Sequence, residues 1–398
     1  MDSLQSGIAP PRIGHALRAD GRRIARARTN EPKVDSVIIR RARALSTRGG
    51  FDADEYGKRV ASAAGLGYVS DSDRGLTRAR RGDKFVYFYP DGTRVTRRSE
   101  ITRINSLAIP PAYRDVWICR DPDGHIQATG RDAKGRKQYR YHPKWRTISD
   151  AAKFERMLEF GQALPRIRRR IARALRVEGM PREKVFAAVL QLLEVTLIRI
   201  GNDEYARQNG SYGLTTLCTR HVEVSGSTVN FDFRGKSGIE HKVEIKHPGL
   251  AKIVKLCMQL PGRELFQYLD EDGRRHAVSS IDVNSFLQKI SGSDFTAKDY
   301  RTWAASVMAL DELAKVPAAS ERDAKKHILA TASTVAERLG NTAAICRKSY
   351  IHPALLETYR AGKLLVRRAR GSRSLRANEA AFLRFLRALR SSCAAAKN

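Results

Sequence analysis

Arg199, Lys236, Arg301, Asn341 and Tyr350 bring two guanidiniums, an amine, a carboxamide and a phenol to marked places in the helical half of the chain. Breaking a phosphodiester without a metal needs a nucleophile, a proton donor for the departing oxygen, and positive charge on the pentacoordinate phosphorus. Side chains of these types could supply all three. An ammonium becomes a useful acid once burial and neighbouring cations lower its pKa. A guanidinium presents a planar fork of N–H donors to non-bridging oxygens, which a point-charge lysine does less well. Singly, each residue has a plainer explanation. An arginine at a helix end is ordinarily structural or solvated, and a lone tyrosine ordinarily packs in a core.

The 398 residues carry 74 Lys and Arg against 42 Asp and Glu, a formal charge of +32. That excess is too large for a typical metabolic enzyme and points to a polyanionic partner, bound with a steep salt dependence because neutralised phosphates release counterions. Charge alone leaves DNA, RNA, an anionic membrane and the ribosome open. Cys119, Cys218, Cys257, Cys346 and Cys393 are scattered and odd in number, with no zinc-knuckle spacing and no disulfide framework. The spacings of His142, His241 and His247 match no standard ligand set, so no metal is expected. There is no apolar signal core and no run near the ~20 apolar residues that span a bilayer, so a cytoplasmic protein without membrane contact is expected.

The elements that must position the five side chains follow from patterning. Residues 1–60 read as a basic tail and 61–148 as a β-rich domain, with turn signals at Pro90-Asp91-Gly92 and Pro122-Asp123-Gly124 between short apolar runs. Residues 149–362 read as a larger, mainly helical domain, joined through a linker near 146–152. Residues 182–199 predict a core helix running into Arg199, ended by Gly201-Asn202. Val229, Phe231 and Phe233 alternate in a strand that turns at Arg234–Gly238, placing Lys236 on a hairpin tip. Thr296 with Asp299, and Ser320 with Asp323, predict helix starts, and Gly340 a helix stop before Asn341. Residues 363–398 read as a basic extension with a terminal amphipathic helix. The fold class is therefore α+β.

Four ordered segments, Ile198-Arg-Ile-Gly-Asn202, Phe233-Arg-Gly-Lys-Ser-Gly238, Lys298-Asp-Tyr-Arg-Thr-Trp303 and Arg347-Lys-Ser-Tyr350, resemble the type IB DNA topoisomerases, in particular their compact poxvirus-like bacterial branch. Ile109-Pro-Pro-Ala-Tyr-Arg-Asp-Val-Trp117 and Gly130–Tyr141 resemble that family's N-terminal motifs, so the resemblance spans roughly residues 60 to 360. It implies a two-lobed clamp closing on double-stranded DNA as a monomer, with a small antiparallel lobe and a larger helical lobe of the tyrosine recombinase/topoisomerase IB fold carrying a three-stranded sheet. It also implies a 3′-phosphotyrosyl link to Tyr350, rotation about the intact strand, and resealing without ATP or any small-molecule cofactor. Arg199 and Arg301 would hold the non-bridging oxygens, Lys236 would protonate the 5′-oxygen, and Asn341 would donate to a phosphate oxygen where several relatives have histidine. Arg136, Gln138, Tyr139, Tyr141, Tyr205 and Lys298 would contact DNA. A nucleoid location follows from that partner. The nearest alternative, a tyrosine site-specific recombinase, generally has histidine three residues before the second arginine, where this chain has Lys298. A non-catalytic DNA-binding protein would fit the charge equally well.

Overall fold

The computed structural model describes residues 53–133, 135–270, 272–364 and 375–395. Most of the basic stretch expected at 1–60 lies outside them. After α1 (Ala53–Ala63) come β1 (Leu76–Arg81) and β2 (Lys84–Phe88), α2 (Arg98–Ser106), then β3 (Arg114–Ile118), β4 (Ile126–Arg131) and β5 (Lys137–Tyr141). The five strands form one antiparallel sheet in the order β2-β1-β3-β4-β5. The Pro122-Asp123-Gly124 turn joins β3 to β4 as its residue types require. The Pro90-Asp91-Gly92 turn also forms, but beyond it the chain returns only through a Phe88–Arg94 bridge. The true hairpin partner of β2 is β1, whose sequence Leu-Thr-Arg-Ala-Arg-Arg has one large apolar residue and no visible strand pattern. Arg78 makes that strand useful: its guanidinium lies 4.2 Å from the centre of the Phe85 ring and donates to the carbonyls of Ile109, Pro110 and Tyr113.

Residues 146–152, expected as a linker, instead lie within α3 (Pro143–Glu155). Pro143 sits in the first turn, where a missing N–H costs nothing, and the His142 ring accepts from the Lys144 N–H at 3.2 Å. Helices α4 (Met157–Leu175) and α5 (Arg182–Thr196) follow, then the short α6 (Asp203–Asn209). A three-stranded antiparallel sheet, β6 (Val222–Ser225), β7 (Thr228–Arg234) and β8 (Glu240–Lys246), leads to α7 (Pro248–Met258). The small pair β9 (Gln267–Leu269) and β10 (Arg275–Ala277) precedes α8 (Ser280–Ser291), α9 (Ala297–Lys315), α10 (Glu321–Leu339), α11 (Ala343–Ser349), α12 (Pro353–Arg360) and α13 (Ala377–Ala395). No helix among the described residues is long and apolar enough to cross a membrane.

The core forms around α5, in which every residue from Val185 to Leu193 except Gln191 is buried. Val229, Phe231 and Phe233 point into the same core from β7. Phe160 of α4 meets Phe295, Tyr300 and Trp303 edge-on, fixing α9 against α4. Helix α13 is amphipathic, as its sequence suggests, and its apolar face joins this core through Phe382, which is fully buried and meets Trp303 edge-on.

One buried ion cluster secures α13. Arg168 of α4 donates a fork to Glu379 at 2.7 and 2.9 Å and also bonds Glu194 of α5 at 2.9 Å. Burial alone would raise the Glu379 pKa, but the Arg168 bonds outweigh it and hold it below the ordinary value. Its stabilisation is therefore complete above the unfolded-state pKa and is lost as the pH falls through the depressed folded-state value. Glu379→Ala leaves Arg168 short of a partner, and an equilibrium urea titration is expected to show a loss of about 3 kcal/mol at neutral pH.

Candidate active site

The site is built where the ends of α5, β7, α10 and α11 meet the flank of α9. Helix α5 stops at Thr196, three residues earlier than the sequence pattern suggests, because Leu197 takes a left-handed conformation (φ 58°). Arg199 thus lies beyond the helix in irregular chain. Its carbonyl accepts from the Leu214 N–H at 2.8 Å, and Gly213 packs so closely that a Cβ there would stand 2.5 Å from the Arg199 oxygen. Lys236 stands on the turn between β7 and β8, where Ser237 and Gly238 both have positive φ (65° and 78°). Arg301 falls in the second turn of α9, behind the Thr296 start, where Asp299 accepts from the Thr296 N–H at 2.7 Å. Gly340 ends α10 with φ 58°, and its missing Cβ leaves room for the His241 ring, which would otherwise lie 2.3 Å away.

Two guanidiniums bind these ends together. Arg301 donates to the carbonyls of Leu197 and Leu339, joining the ends of α5 and α10 to α9. Arg199 donates to the Gly340 carbonyl at 3.2 Å and to the Asn341 side-chain oxygen. By geometry the buried Asn341 amide nitrogen and Arg301 Nε have no hydrogen-bond partner among the described residues, while both side chains act on the Tyr350 phenol and help hold its pKa down. Tyr350 caps α11, its ring 5.6 Å from the Arg301 guanidinium carbon. Its main chain is held from α9: Ser306 Oγ donates to the Tyr350 carbonyl and accepts from the His352 N–H, each at 3.0 Å.

Charge is concentrated here. Burial would raise the Tyr350 pKa, but Arg301 and then Arg199 outweigh it and bring the phenol below its usual value. Burial lowers the Lys236 pKa, and the positive charges of Arg199, Lys298 and Arg136 lower it further against a Tyr350 phenolate. His241, stacked on Phe233 at 5.1 Å, is also depressed by burial and by Arg199 and Arg301, so it rests neutral under the turn. Among the described residues no three His, Cys, Asp or Glu side chains gather as a metal could use. Of the other histidines, His247 accepts from the Leu250 N–H at 3.1 Å and caps α7.

A cavity of about 520 Å³ brings Arg199, Lys236, Lys298, Arg301 and Tyr350 together with Gln138 of β5 and Arg136 just before that strand. Asn341 sits behind it, reached through Arg199. Strand β5 divides the remaining expected contacts by its alternation. Arg136 and Gln138 face the cavity and are fixed by Asp132, at 2.8 and 3.0 Å. Tyr139 and Tyr141 lie together on the other face, their rings stacked at 5.8 Å and both exposed, with Lys137 5.6 Å over Tyr139. The Tyr205 side chain lies outside the described residues. Asn202, Tyr212 and Arg234 also line the cavity and were not singled out from the sequence. Asn202 and Arg234 lie inside the motif segments already quoted, a usable signal; Tyr212 has none beyond an aromatic ring between Gly210 and Gly213.

Comparison with known proteins bears on both halves of this arrangement. The family described as "Eukaryotic DNA topoisomerase I, catalytic core" matches residues 142–369, more than half of the chain, and "Bacterial DNA topoisomerase IB, N-terminal domain" matches residues 84–132. The DNA topoisomerase 1B of Acanthamoeba polyphaga mimivirus is 36% identical over 293 residues, covering 72% of this chain and 87% of the relative. The DNA topoisomerase 1B of vaccinia virus (strain Copenhagen) is 23% identical over 251 residues, covering 62% of this chain and 75% of the relative.

Proposed function

Because the chain belongs to the type IB DNA topoisomerase family, we propose that it relaxes supercoiled DNA through a 3′-phosphotyrosyl intermediate on Tyr350. Membership makes it a DNA topoisomerase acting on double-stranded DNA, with a bacterial-type N-terminal domain. The observation that carries the finer reading is the phenol set beside Arg301 and Arg199 in a cavity that also holds Lys236.

In the proposed cycle the Tyr350 phenol loses its proton to water and the phenolate oxygen attacks the scissile phosphorus. The bond from phosphorus to the 5′-oxygen breaks, and that oxygen takes its electron pair and a proton from the Lys236 ammonium. Arg199 and Arg301 bind the non-bridging oxygens, and Asn341 donates its amide N–H to one of them. The downstream duplex then turns about the intact strand, and the 5′-hydroxyl, giving its proton back to the Lys236 amine, attacks phosphorus to expel the phenolate. The phosphotyrosyl bond conserves the energy of the one broken, so no nucleotide is consumed. Residues 61–148 and 149–362 act as the two lobes of a monomeric clamp in the nucleoid, with Arg136, Gln138, Tyr139, Tyr141, Tyr205 and Lys298 on the DNA.

The test is relaxation of a supercoiled plasmid with no special site, in EDTA and without ATP. Removal of supercoils under those conditions is expected. Dependence on a specific target and paired protomers would instead support a recombinase, and salt-sensitive binding without covalent capture in denaturant a binding protein.

The two lowered pKa values give a pH signature. Cleavage in a single turnover should rise with pH as Tyr350 ionises and fall as Lys236 loses its proton, the falling limb lying below the ordinary lysine range. Lys236→Ala should cut the rate by about 10²–10⁴ and remove that falling limb. A Lys236→Ala profile that still falls at the same pH would assign the acid elsewhere.

A further inference from the structure

At the lip of the catalytic cavity, two arginines converge on one phenol. Arg220 donates to the Tyr212 hydroxyl at 3.1 Å and Arg263 at 3.4 Å. Tyr212 lines the same cavity as Tyr350, and its N–H bonds the Arg234 carbonyl at 2.8 Å, two residues before Lys236. The arginines come from separate segments that are tied together, since the Leu265 N–H donates to the Leu217 carbonyl at 2.8 Å. Both are exposed, and neither has a carboxylate partner among the described residues.

A phenol oxygen has two lone pairs and one hydrogen. With both lone pairs engaged by cations, the O–H is left as a donor, and it has no acceptor among the described residues. The His221 ring packs against Tyr212 with centroids 4.4 Å apart. That ring accepts from the Cys218 N–H at 3.0 Å, and burial together with Arg220 and Arg263 lowers its pKa against the opposing charge of Asp232. Three groups poised to donate, two of them cationic, therefore converge beside the cavity that holds Tyr350. An oxyanion is the ligand chemistry that satisfies all three at once.

We propose that Tyr212, Arg220 and Arg263 form a second phosphate subsite, which grips a backbone phosphate of the DNA strand that also enters the Tyr350 cavity. The proposal rests on the strand-cleaving reading above and adds a register device to it. A phosphate held at a fixed offset sets which phosphodiester faces Tyr350, as backbone contacts position a duplex without reading its bases.

The experiment measures duplex binding across salt in the Tyr350→Phe background, with wild-type relaxation followed in parallel. The salt slope is about −0.9 per neutralised phosphate in duplex DNA. Arg220→Ala combined with Arg263→Ala is expected to reduce the slope by about one. Tyr212→Phe removes a donor but no charge, so it is expected to weaken binding by about tenfold at fixed salt with the slope unchanged. Both arginines are exposed, and a thermal melt matching the parent would show that the double variant folds; were it not to fold, Tyr212→Phe alone decides. Parent-like affinity and slope in these variants, with wild type still relaxing plasmid, would overturn the subsite alone. Failure of wild type to relax plasmid would overturn the functional reading, whatever the slopes.

Discussion

Tyr350→Phe is expected to bring plasmid relaxation and covalent capture of DNA to background, a loss on the order of 10⁴ or more, while duplex binding stays near the wild-type value. The substitution deletes the one oxygen assigned to attack phosphorus and leaves the ring that sits 5.6 Å from the Arg301 guanidinium carbon. The arginines also hold backbone carbonyls that the substitution leaves in place, so the anion-binding cavity survives. Relaxation and a denaturing gel for protein-linked DNA are the measurements. Persistent capture by the phenylalanine variant would move the nucleophile to another residue.

Arg301→Ala should be the most damaging change outside the nucleophile, because two losses coincide. Arg301 is 4% exposed, and its guanidinium serves the carbonyls of Leu197 and Leu339. Leaving buried acceptors unpaired costs about 1–3 kcal/mol each. Loss of a transition-state donor costs a further factor of about 10²–10³ in the chemical step. Thermal melts and single-turnover cleavage well below the melting temperature separate the two. Arg301→Lys keeps the charge but not the fork, and should recover part of the stability and little of the rate. Near-normal cleavage by a folded Arg301→Ala protein would show that its cation serves the fold alone.

The parts of this fold visible in the sequence are those governed by short-range stereochemistry. Gly340 stops α10 because only a glycine takes φ 58° there at no cost while a histidine ring approaches. Val229, Phe231 and Phe233 reveal β7 because a strand buried on one face must alternate. What escaped is set by tertiary contact. Strand β1 is held by ladder hydrogen bonds and by Arg78 reaching three carbonyls, none of which leaves a hydrophobic period. Helix α5 stops at Thr196 without a glycine, because Leu197 itself takes the left-handed conformation. The site divides along the same line. Ordered motifs singled out Arg199, Lys236, Arg301 and Tyr350, which the cavity brings together. The engagement of Asn341 by Arg199, and the arginine pair on Tyr212, depend on chain segments far apart in sequence.

Ser306 acquires a mechanical meaning once the broken strand is considered as a cable under torsion. During rotation in the proposed cycle, a single C–O–P linkage joins the turning polymer to the protein, and any tug on it arrives at Tyr350. The Ser306 hydroxyl grips the main chain just after that residue's Cα, through the Tyr350 carbonyl and the His352 N–H. Lys153 of α3 takes the preceding Ser349 carbonyl at 2.6 Å. Load is thereby passed into α9, the helix that carries Arg301, and into α3. In that proposed cycle Tyr350 and its counter-charge would shift as one body under load, keeping the alignment that resealing requires.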